Sequence, residues 1–271
     1  MRVALVSLDQ IWHDKDANFA RIGTFVRDAK AQGCDVVVLP EMTLTGFSMD
    51  IDAHAEREDA SPSVARFGVL AREVGITIVF GACLRAVSET HASNVLCVAT
   101  PDGRSQAIYS KMHPFSFAGE ADVLKAGDEM RIVRLGDLNC AATICYDLRF
   151  PELYAVMAPS CDAAIVIANW PNRRIAHWRT LLVARAIENQ MFVIGVNRTG
   201  VDGNGLSYEK SSMVVLPDGT LLEPVVRGAE MDIYDIDPAE VGKYRASFPT
   251  VRDRRPLVYS QFRGSTFDVA R

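Results

Sequence analysis

Short apolar runs alternate along the chain with longer segments in which apolar residues recur at helical spacing. An apolar run over residues 3–8 precedes a helical pattern over about 16–31, and a second apolar run follows at 35–39. Strand, helix and strand in this order are typical of a βαβ unit. Because the predicted strands are apolar almost throughout, the faces of the sheet must be covered by helices or by another sheet. The pattern therefore predicts an α/β fold.

The same alternation continues to about residue 236. Ser61 followed by proline predicts the start of a helix that runs toward Val74, and Asn172 is predicted to cap a long helix through Asn189. The apolar stripe of that long helix is predicted to contain Ile175, Trp178, Leu182 and Ile187. Further strands are predicted near 76–81, 94–99, 107–109, 140–144, 163–168, 191–196, 211–216 and 231–236.

The composition is that of a globular protein. Hydrophobic residues make up 49% of the 271 positions and charged residues 23%, which excludes disordered, collagen-like and coiled-coil classes. No Pro/Ser-rich linker, low-complexity tract or short repeat divides the chain. We therefore predict a single domain over 1–271 that ends in a C-terminal extension from about residue 241.

Charge and localisation signals narrow the class of partner. Lys and Arg number 29 and Asp and Glu 34, a net charge of −5, and neither sign forms a long run, so no nucleic-acid partner is expected. No apolar run reaches the roughly 18–20 residues that span a bilayer, and the start lacks a signal-peptide pattern. We expect a cytoplasmic protein with no membrane partner. The six scattered cysteines then argue against a disulfide framework.

Motifs that bind cofactors or metals are missing. The sequence has no P-loop and no well-placed dinucleotide fingerprint, and its five histidines show no zinc-ligand spacing. A serine-nucleophile elbow is also missing. We therefore expect no cofactor and no metal.

Three reactive side chains each follow a predicted strand. Glu41 comes after the run 36–40, Lys111 closes the strand near 107–109, and Cys145 follows the strand 140–144. Ligands of open α/β sheets bind at this edge, and backbone N–H groups at a strand-to-turn position are free to face an oxyanion. Taken singly, a surface carboxylate, a solvated lysine and a buried inert thiol are the ordinary interpretations.

Together, these segments resemble the carbon-nitrogen hydrolase (nitrilase) superfamily, and most closely its omega-amidase branch. The resemblance covers nearly the whole chain and rests on 40–42 (PEM), 109–113 (YSKMH) and 144–153 (ICYDLRFPEL), with support at 168–171, 184–190, 197–200 and 248–256. It implies a four-layer α-β-β-α sandwich. It also implies homodimers or higher homo-oligomers, and we expect the C-terminal extension to serve their assembly.

The resemblance also implies a mechanism. Glu41 would act as the general base and acid, Cys145 as the nucleophile, and Lys111 with the backbone N–H of Tyr146 as the oxyanion-stabilising group. Glu120, at the position of a second glutamate in the family, would orient Lys111.

Several neighbouring residues are candidates for the substrate pocket. Phe117, Tyr146 and Trp170 are predicted to shape it, although Phe117 and Trp170 are also compatible with plain core packing. Asp147 and Arg149 are expected to form an internal ion pair that fixes the turn after the nucleophile. Two adjacent arginines, 173 and 174, are compatible both with a solvent-facing position and with contact to a substrate carboxylate.

The implied function is a thiol amidohydrolase acting on a small-molecule amide, such as α-ketoglutaramate or α-ketosuccinamate. Two alternatives stay open. Another carbon-nitrogen hydrolase would act on N-carbamoyl amino acids, deaminated glutathione or aliphatic amides. A non-catalytic binding or scaffold protein would use the same sandwich, but it would be expected to have lost at least one of Glu41, Lys111 and Cys145.

Overall fold

The computed structural model describes residues 1–87 and 91–261. Its strands are β1 (Arg2–Val6), β2 (Val36–Val38), β3 (Glu56–Arg57), β4 (Thr77–Arg85), β5 (Ser93–Ala99), β6 (Ser105–Ser110), β7 (Ile132–Leu135), β8 (Leu138–Ile144), β9 (Ala163–Ala168), β10 (Phe192–Asn197), β11 (Gly200–Val201), β12 (Ser207–Tyr208), β13 (Met213–Val215), β14 (Val226–Arg227) and β15 (Met231–Asp235). Its α-helices are α1 (Lys15–Ala31), α2 (Ile51–His54), α3 (Pro62–Val74), α4 (Glu120–Val123), α5 (Pro151–Met157), α6 (Ile175–Asn189), α7 (Ala239–Ser247) and α8 (Pro256–Tyr259).

Two large sheets form the centre of the fold. The first has the order β14-β15-β1-β2-β4-β5-β6, with β3 beside β4, and the second has the order β13-β10-β9-β8-β7. In each sheet three neighbouring strands are parallel, and β3 is also parallel to β4, whereas the other strands pair with their neighbours in antiparallel fashion. The parallel strands carry their carboxyl ends to one edge, where loops are free to hold functional groups.

Alternating side chains on these strands build three apolar layers. One face of each sheet contributes to a shared central core, in which Leu5 and Val38 of the first sheet join Ile165 and Ile194 of the second. The outer face of the first sheet packs against α1 and α3, and the outer face of the second packs against α5 and α6. The predicted four-layer α-β-β-α sandwich is confirmed.

The helix that begins after Ser61 is confirmed in detail. α3 starts at Pro62, and the hydroxyl of Ser61 accepts a hydrogen bond from the backbone N–H of Val64 at 3.1 Å. Serine at this cap and proline in the first turn each satisfy or remove a backbone donor that the helix leaves unpaired.

The prediction for the long helix is wrong in two details. α6 begins at Ile175, because Asn172 lies in a 3₁₀ helix (Asn172–Arg174) and its side chain accepts the backbone N–H of Glu209 at 2.6 Å. Ile187 is 49% exposed, whereas Trp178 is fully buried. Ile187 follows Trp178 by nine positions. At about 100° per residue, this spacing places Ile187 on the opposite face of the helix.

The C-terminal extension crosses the helical face of the second sheet. The guanidinium of Arg245 donates to the backbone carbonyls of Cys161 (2.9 Å) and Asn189 (3.1 Å), and Arg254 donates to Ala155 (2.8 Å). These bonds tie the extension to α5 and α6. The last ten residues of the predicted extension, 262–271, lie outside the described residues.

All six cysteines have free thiols. Within residues 1–87 and 91–261, no helix combines the length and the apolar composition that a membrane span requires. A cytoplasmic location stays a prediction.

Candidate active site

Three charged side chains meet in a buried cluster between the two sheets. Nζ of Lys111, directly after β6, lies 2.9 Å from Oε1 of Glu41 and 2.8 Å from Oε2 of Glu120. The three side chains are at most 1% exposed. Because an isolated buried charge is very costly, this mutual pairing and its hydrogen bonds hold the cluster together. The structure thus brings together three of the four residues predicted to be catalytic.

The fourth, Cys145, lies at the turn that follows β8. Its backbone has φ = +46°, a left-handed conformation that non-glycine residues seldom adopt, and it begins a 3₁₀ helix (Cys145–Arg149). The side chain is partly exposed and borders a cavity, and Sγ lies 4.0 Å from the backbone oxygen of Asn169. The turn therefore presents the thiol to the cavity at the end of a buried strand.

Asn169, directly after β9, contacts both Glu41 and Cys145. Its backbone N–H donates to Oε2 of Glu41 at 2.8 Å, and its side-chain Nδ2 donates to the backbone oxygen of Glu41 at 2.7 Å. The backbone oxygen of the same residue is the one that Sγ of Cys145 approaches. No catalytic role was predicted for Asn169, although it follows a buried strand as Cys145 does, and that position is the sequence signal for such a role.

A second amide was also missed. Nδ2 of Asn94, near the start of β5, donates to Oε1 of Glu41 at 2.7 Å and to Oε1 of Glu120 at 2.9 Å. Asn94 is 1% exposed and stands in an otherwise apolar strand. A buried polar residue in such a strand needs partners, which is the sequence signal for its role.

The charges of the cluster act on two pKa values. Burial alone would lower the pKa of Lys111, but the carboxylates of Glu41 and Glu120 outweigh it and raise that pKa above its usual value. Burial, followed by the negative charge of Glu41, raises the pKa of the Cys145 thiol well above its usual value, while Lys111 lowers it. The lysine is therefore charged at neutral pH, and the resting cysteine holds its proton.

The turn that carries Glu41 is packed closely against β4. A Cβ on Gly81 would lie 2.8 Å from Cα of Glu41, a distance that real side chains do not tolerate. On the other side, Nε2 of Gln10 donates to the backbone oxygens of Glu41 (3.1 Å), Met42 (2.9 Å) and Thr43 (3.1 Å). These contacts fix the backbone from which the carboxylate projects.

Asp147 joins the nucleophile turn to the lysine strand. Its Oδ2 accepts hydrogen bonds from the backbone N–H of Ile144 (2.9 Å) and the hydroxyl of Tyr109 (2.8 Å). Its Oδ1 accepts the backbone N–H of His113 at 3.0 Å and lies 2.8 Å from Nδ1 of that ring. The predicted ion pair between Asp147 and Arg149 is wrong, because these groups occupy the carboxylate while Arg149 faces the cavity.

The cavity beside Cys145 is open to solvent. It is lined by Phe47, Met49, Phe115, Ala118, Cys145, Tyr146, Arg149, Asn169, Trp170, Pro171, Arg173, Arg174, Asp202, Asn204, Leu206 and Tyr208. Tyr146 and Trp170 thus lie where a pocket-shaping role requires them. Phe117 does not line it: the side chain is 79% exposed, and the 3₁₀ helix Ser116–Ala118 leaves Phe115 at the cavity instead.

The chain is similar to known proteins over most of its length. A family model described as carbon-nitrogen hydrolase matches residues 2–246. Omega-amidase YafV of Escherichia coli (strain K12) is 33% identical over 255 residues, which cover 93% of this chain and 96% of that protein. A 2-oxoglutaramate amidase of Bacillus subtilis (strain 168) is 31% identical over 252 residues, which cover 92% and 96%.

A solved structure is similar over its whole length. A CN-hydrolase superfamily protein of Xanthomonas campestris, whose crystal structure holds an arsenic adduct in its active site, is 34% identical with a TM-score of 0.85. The match covers 100% of this chain and 99% of that one.

Proposed function

The chain belongs to the carbon-nitrogen hydrolase family, as its motifs predict, and on that premise we propose that it is a thiol amidohydrolase. It releases ammonia from the terminal amide of a small carboxylic acid through a thioester on Cys145. The proposal rests mainly on one observation: Asn169 contacts both Glu41 and Cys145. A general base and a nucleophile must lie close together to exchange a proton, and this shared neighbour brings them together.

Acylation follows from the charges of the site. Because the resting thiol is protonated, Glu41 takes the proton from Sγ as the sulfur attacks the amide carbon. The carbonyl oxygen gains negative charge, which the ammonium of Lys111 and the backbone N–H of Tyr146 stabilise. As the C–N bond breaks, Glu41 gives the proton to the leaving nitrogen, ammonia departs, and the acyl group stays on Cys145.

Deacylation reuses the same base. Glu41 takes a proton from a water molecule that attacks the thioester carbon, and the oxyanion again forms beside Lys111. Collapse of this intermediate breaks the C–S bond, returns the proton to sulfur and releases a carboxylic acid. Glu120 is a positioning residue, because its two contacts with Nζ hold Lys111 in place throughout.

The proposed substrates are α-ketoglutaramate and α-ketosuccinamate. This choice is supported by relatives that are named omega-amidase and 2-oxoglutaramate amidase. Ammonia release measured with these two amides, an N-carbamoyl amino acid and butyramide, together with release of the dipeptide amine from deaminated glutathione, tests it. We expect the highest kcat/KM for the first two. Turnover of α-ketoglutaramate no faster than that of butyramide would refute the substrate assignment.

Cys145 variants test the chemistry separately from the substrate. Cys145→Ala should show no turnover, and Cys145→Ser should lose nearly all of it because a hydroxyl is much harder to deprotonate than a thiol. Activity that survives in Cys145→Ala would contradict the mechanism. The matched control is Arg104→Gln. Arg104 forms an exposed ion pair with Asp102, far from Cys145 in the sequence, so this variant should keep full activity.

We further propose that two copies of this single-domain chain assemble through the face that carries α5, α6 and the C-terminal extension. Six large apolar side chains are exposed on these elements: Val156, Ile187, Phe248, Leu257, Val258 and Tyr259. We propose that they form one apolar patch, which is typical of an interface. Sedimentation of the full chain should give a dimer, and Val156→Asp with Ile187→Asp should give a monomer. A monomeric parent chain at micromolar concentration would contradict the proposal.

A further inference from the structure

Three arginines border the cavity next to the nucleophile. Arg149 belongs to the 3₁₀ helix that begins at Cys145, and Arg173 and Arg174 belong to the 3₁₀ helix that follows Trp170 and Pro171. Arg173 is exposed, whereas Arg174 is half-buried. The cavity therefore has a cationic side, although most of its lining is aromatic or aliphatic.

No carboxylate of the described chain pairs with these three arginines. Asp202 is the one acidic residue among the described lining, and its oxygens accept hydrogen bonds from the hydroxyl of Tyr208 (2.8 Å) and the backbone N–H groups of Asn204 and Leu206 (both 2.9 Å). Elsewhere exposed arginines pair readily, as Arg104 does with Asp102. The positive charge at the cavity is thus left for a ligand.

Arg149 and Arg174 differ in how their guanidinium groups are held. Arg149 lies 4.7 Å above the ring of Trp170, and its Nη2 is 3.3 Å from Nδ1 of His177. Arg174 lies 5.2 Å above the ring of Phe115, and no side chain of the described residues accepts a hydrogen bond from it. Stacking orients a guanidinium while leaving its N–H groups available.

The electrostatic setting of Arg174 favours an anion. Burial, and then the charges of Arg173 and Arg149, lower the pKa of Arg174. These two effects also favour binding of a negative group. A bound carboxylate would offset both the cost of burying the guanidinium and its repulsion by Arg173 and Arg149. The backbone of Arg174 is anchored at the cavity, since its carbonyl accepts Nε1 of Trp170 at 2.8 Å.

We infer that Arg174 binds the carboxylate at the end of the substrate remote from the reacting amide, and so selects monoamides of short dicarboxylic acids over neutral amides. This inference rests on the proposed amidase function and assigns its substrate selectivity to one residue. A guanidinium holds a carboxylate through two parallel hydrogen bonds, which a methyl group in its place cannot form.

Two amides that differ at one end test the inference. Glutaramate and valeramide share the amide and the length of the chain, but only glutaramate carries a carboxylate. The parent enzyme should prefer glutaramate in kcat/KM. Arg174→Gln should reduce kcat/KM for glutaramate about 10- to 100-fold, the loss expected for hydrogen bonds to a charged group, and leave valeramide within about twofold.

Further arginine variants distinguish specific binding by Arg174 from a general effect of positive charge. Arg173→Gln removes the same charge one residue away and should cost glutaramate less than about threefold, and Arg104→Gln should have no effect. Arg174→Lys keeps the charge without the fork and should fall between Arg174→Gln and the parent. Equal losses in Arg173→Gln and Arg174→Gln, or an unchanged glutaramate preference in Arg174→Gln, would overturn the inference.

Binding without turnover distinguishes this inference from the proposed function. Calorimetry of glutarate with Cys145→Ala and with Cys145→Ala/Arg174→Gln should give a dissociation constant at least about tenfold weaker in the double variant. If the parent enzyme hydrolyses no amide and glutarate still binds through Arg174, the proposed function fails and the binding site stands. If amides are hydrolysed and glutarate binds both variants equally, the amidase stands and the inference fails.

Discussion

The side-chain amide of Asn94 donates a hydrogen bond of 2.7 Å to Oε1 of Glu41, the oxygen that also contacts the ammonium of Lys111. The same nitrogen donates to Glu120 at 2.9 Å. One residue of β5 therefore bridges the proposed base and the carboxylate that positions the lysine. In a cluster that excludes water, such bridges set the orientation of the base before substrate arrives.

Asn94→Asp tests this bridge with little change in volume. It replaces a shared donor with a third carboxylate in a buried cluster that contains one ammonium. We expect kcat to fall about 100-fold or more, because two hydrogen bonds to charged groups are lost, and KM to change much less. Steady-state kinetics and a thermal melt measure the two effects. An unchanged kcat in Asn94→Asp would show that Asn94 does not contribute to catalysis.

Gly81→Ala tests the packing behind Glu41. The added Cβ would meet Cα of Glu41 at 2.8 Å, so the turn must shift, and we expect lower activity and a lower melting temperature. Gly242→Ala is the matched control, since a Cβ at that position in α7 meets nothing within 4 Å. It should stabilise the protein by about 0.5–1 kcal/mol with full activity. Equal behaviour of the two variants would contradict the close approach.

Alkylation of Cys145 tests the directions in which Glu41 and Lys111 shift the pKa of its thiol. Glu41 raises the pKa of the thiol and Lys111 lowers it. At pH 8, Glu41→Gln should therefore react faster with iodoacetamide than the parent enzyme, and Lys111→Met should react more slowly. Peptide mapping identifies the modified cysteine.

The other cysteines provide an internal reference for that experiment. Burial raises the pKa of Cys34 and Cys161 to about 11 and that of Cys83 to about 12, so they should react slowly in every variant. Rates for Cys145 that move in the same direction in both variants would show that the two charges do not act as proposed.

Glu56 is expected to make the free energy of unfolding depend on pH in the acid range. Burial alone would raise its pKa, but hydrogen bonds from Lys15, Ser61 and Ser63 outweigh it and lower that pKa from 4.5 to about 2. A lowered carboxyl pKa contributes stability above pH 4.5, and this contribution is lost as the pH falls toward 2. The difference corresponds to about 3 kcal/mol.

Urea unfolding of Glu56→Gln at pH 7 and at pH 3 measures that contribution. The variant should lose up to about 3 kcal/mol at pH 7 and much less at pH 3. Glu58→Gln, a nearby exposed control, should change little at either pH. A loss in Glu56→Gln that is equal at both pH values would contradict the assignment.

Several elements of the fold were predictable because their sequence signals are local. A serine followed by proline starts α3, and the apolar run before Cys145 is β8. Glu41 and Lys111 each follow a predicted strand, and Glu120 was implied by the family resemblance. In the fold, Nζ of Lys111 lies 2.9 Å from Glu41 and 2.8 Å from Glu120.

The contacts that hold the site depend on the packing of distant segments. Asn169 lies 128 positions from Glu41, and Asn94 lies 53 positions from it. No spacing in the sequence predicts that these amides meet one carboxylate. The sequence also does not predict which of two phenylalanines reaches the cavity. The 3₁₀ helix Ser116–Ala118 contains Phe117 and leaves Phe115, just before it, at the cavity.

The most direct test of the account is to trap the acyl-enzyme. The parent enzyme is mixed with α-ketoglutaramate, quenched in acid within the first turnovers and analysed by intact-protein and peptide mass spectrometry. We predict an added mass equal to the acyl group without ammonia, located on Cys145 and missing in Cys145→Ala. Turnover with no adduct on Cys145 at any quench time, or an adduct on another residue, would contradict the proposed nucleophile.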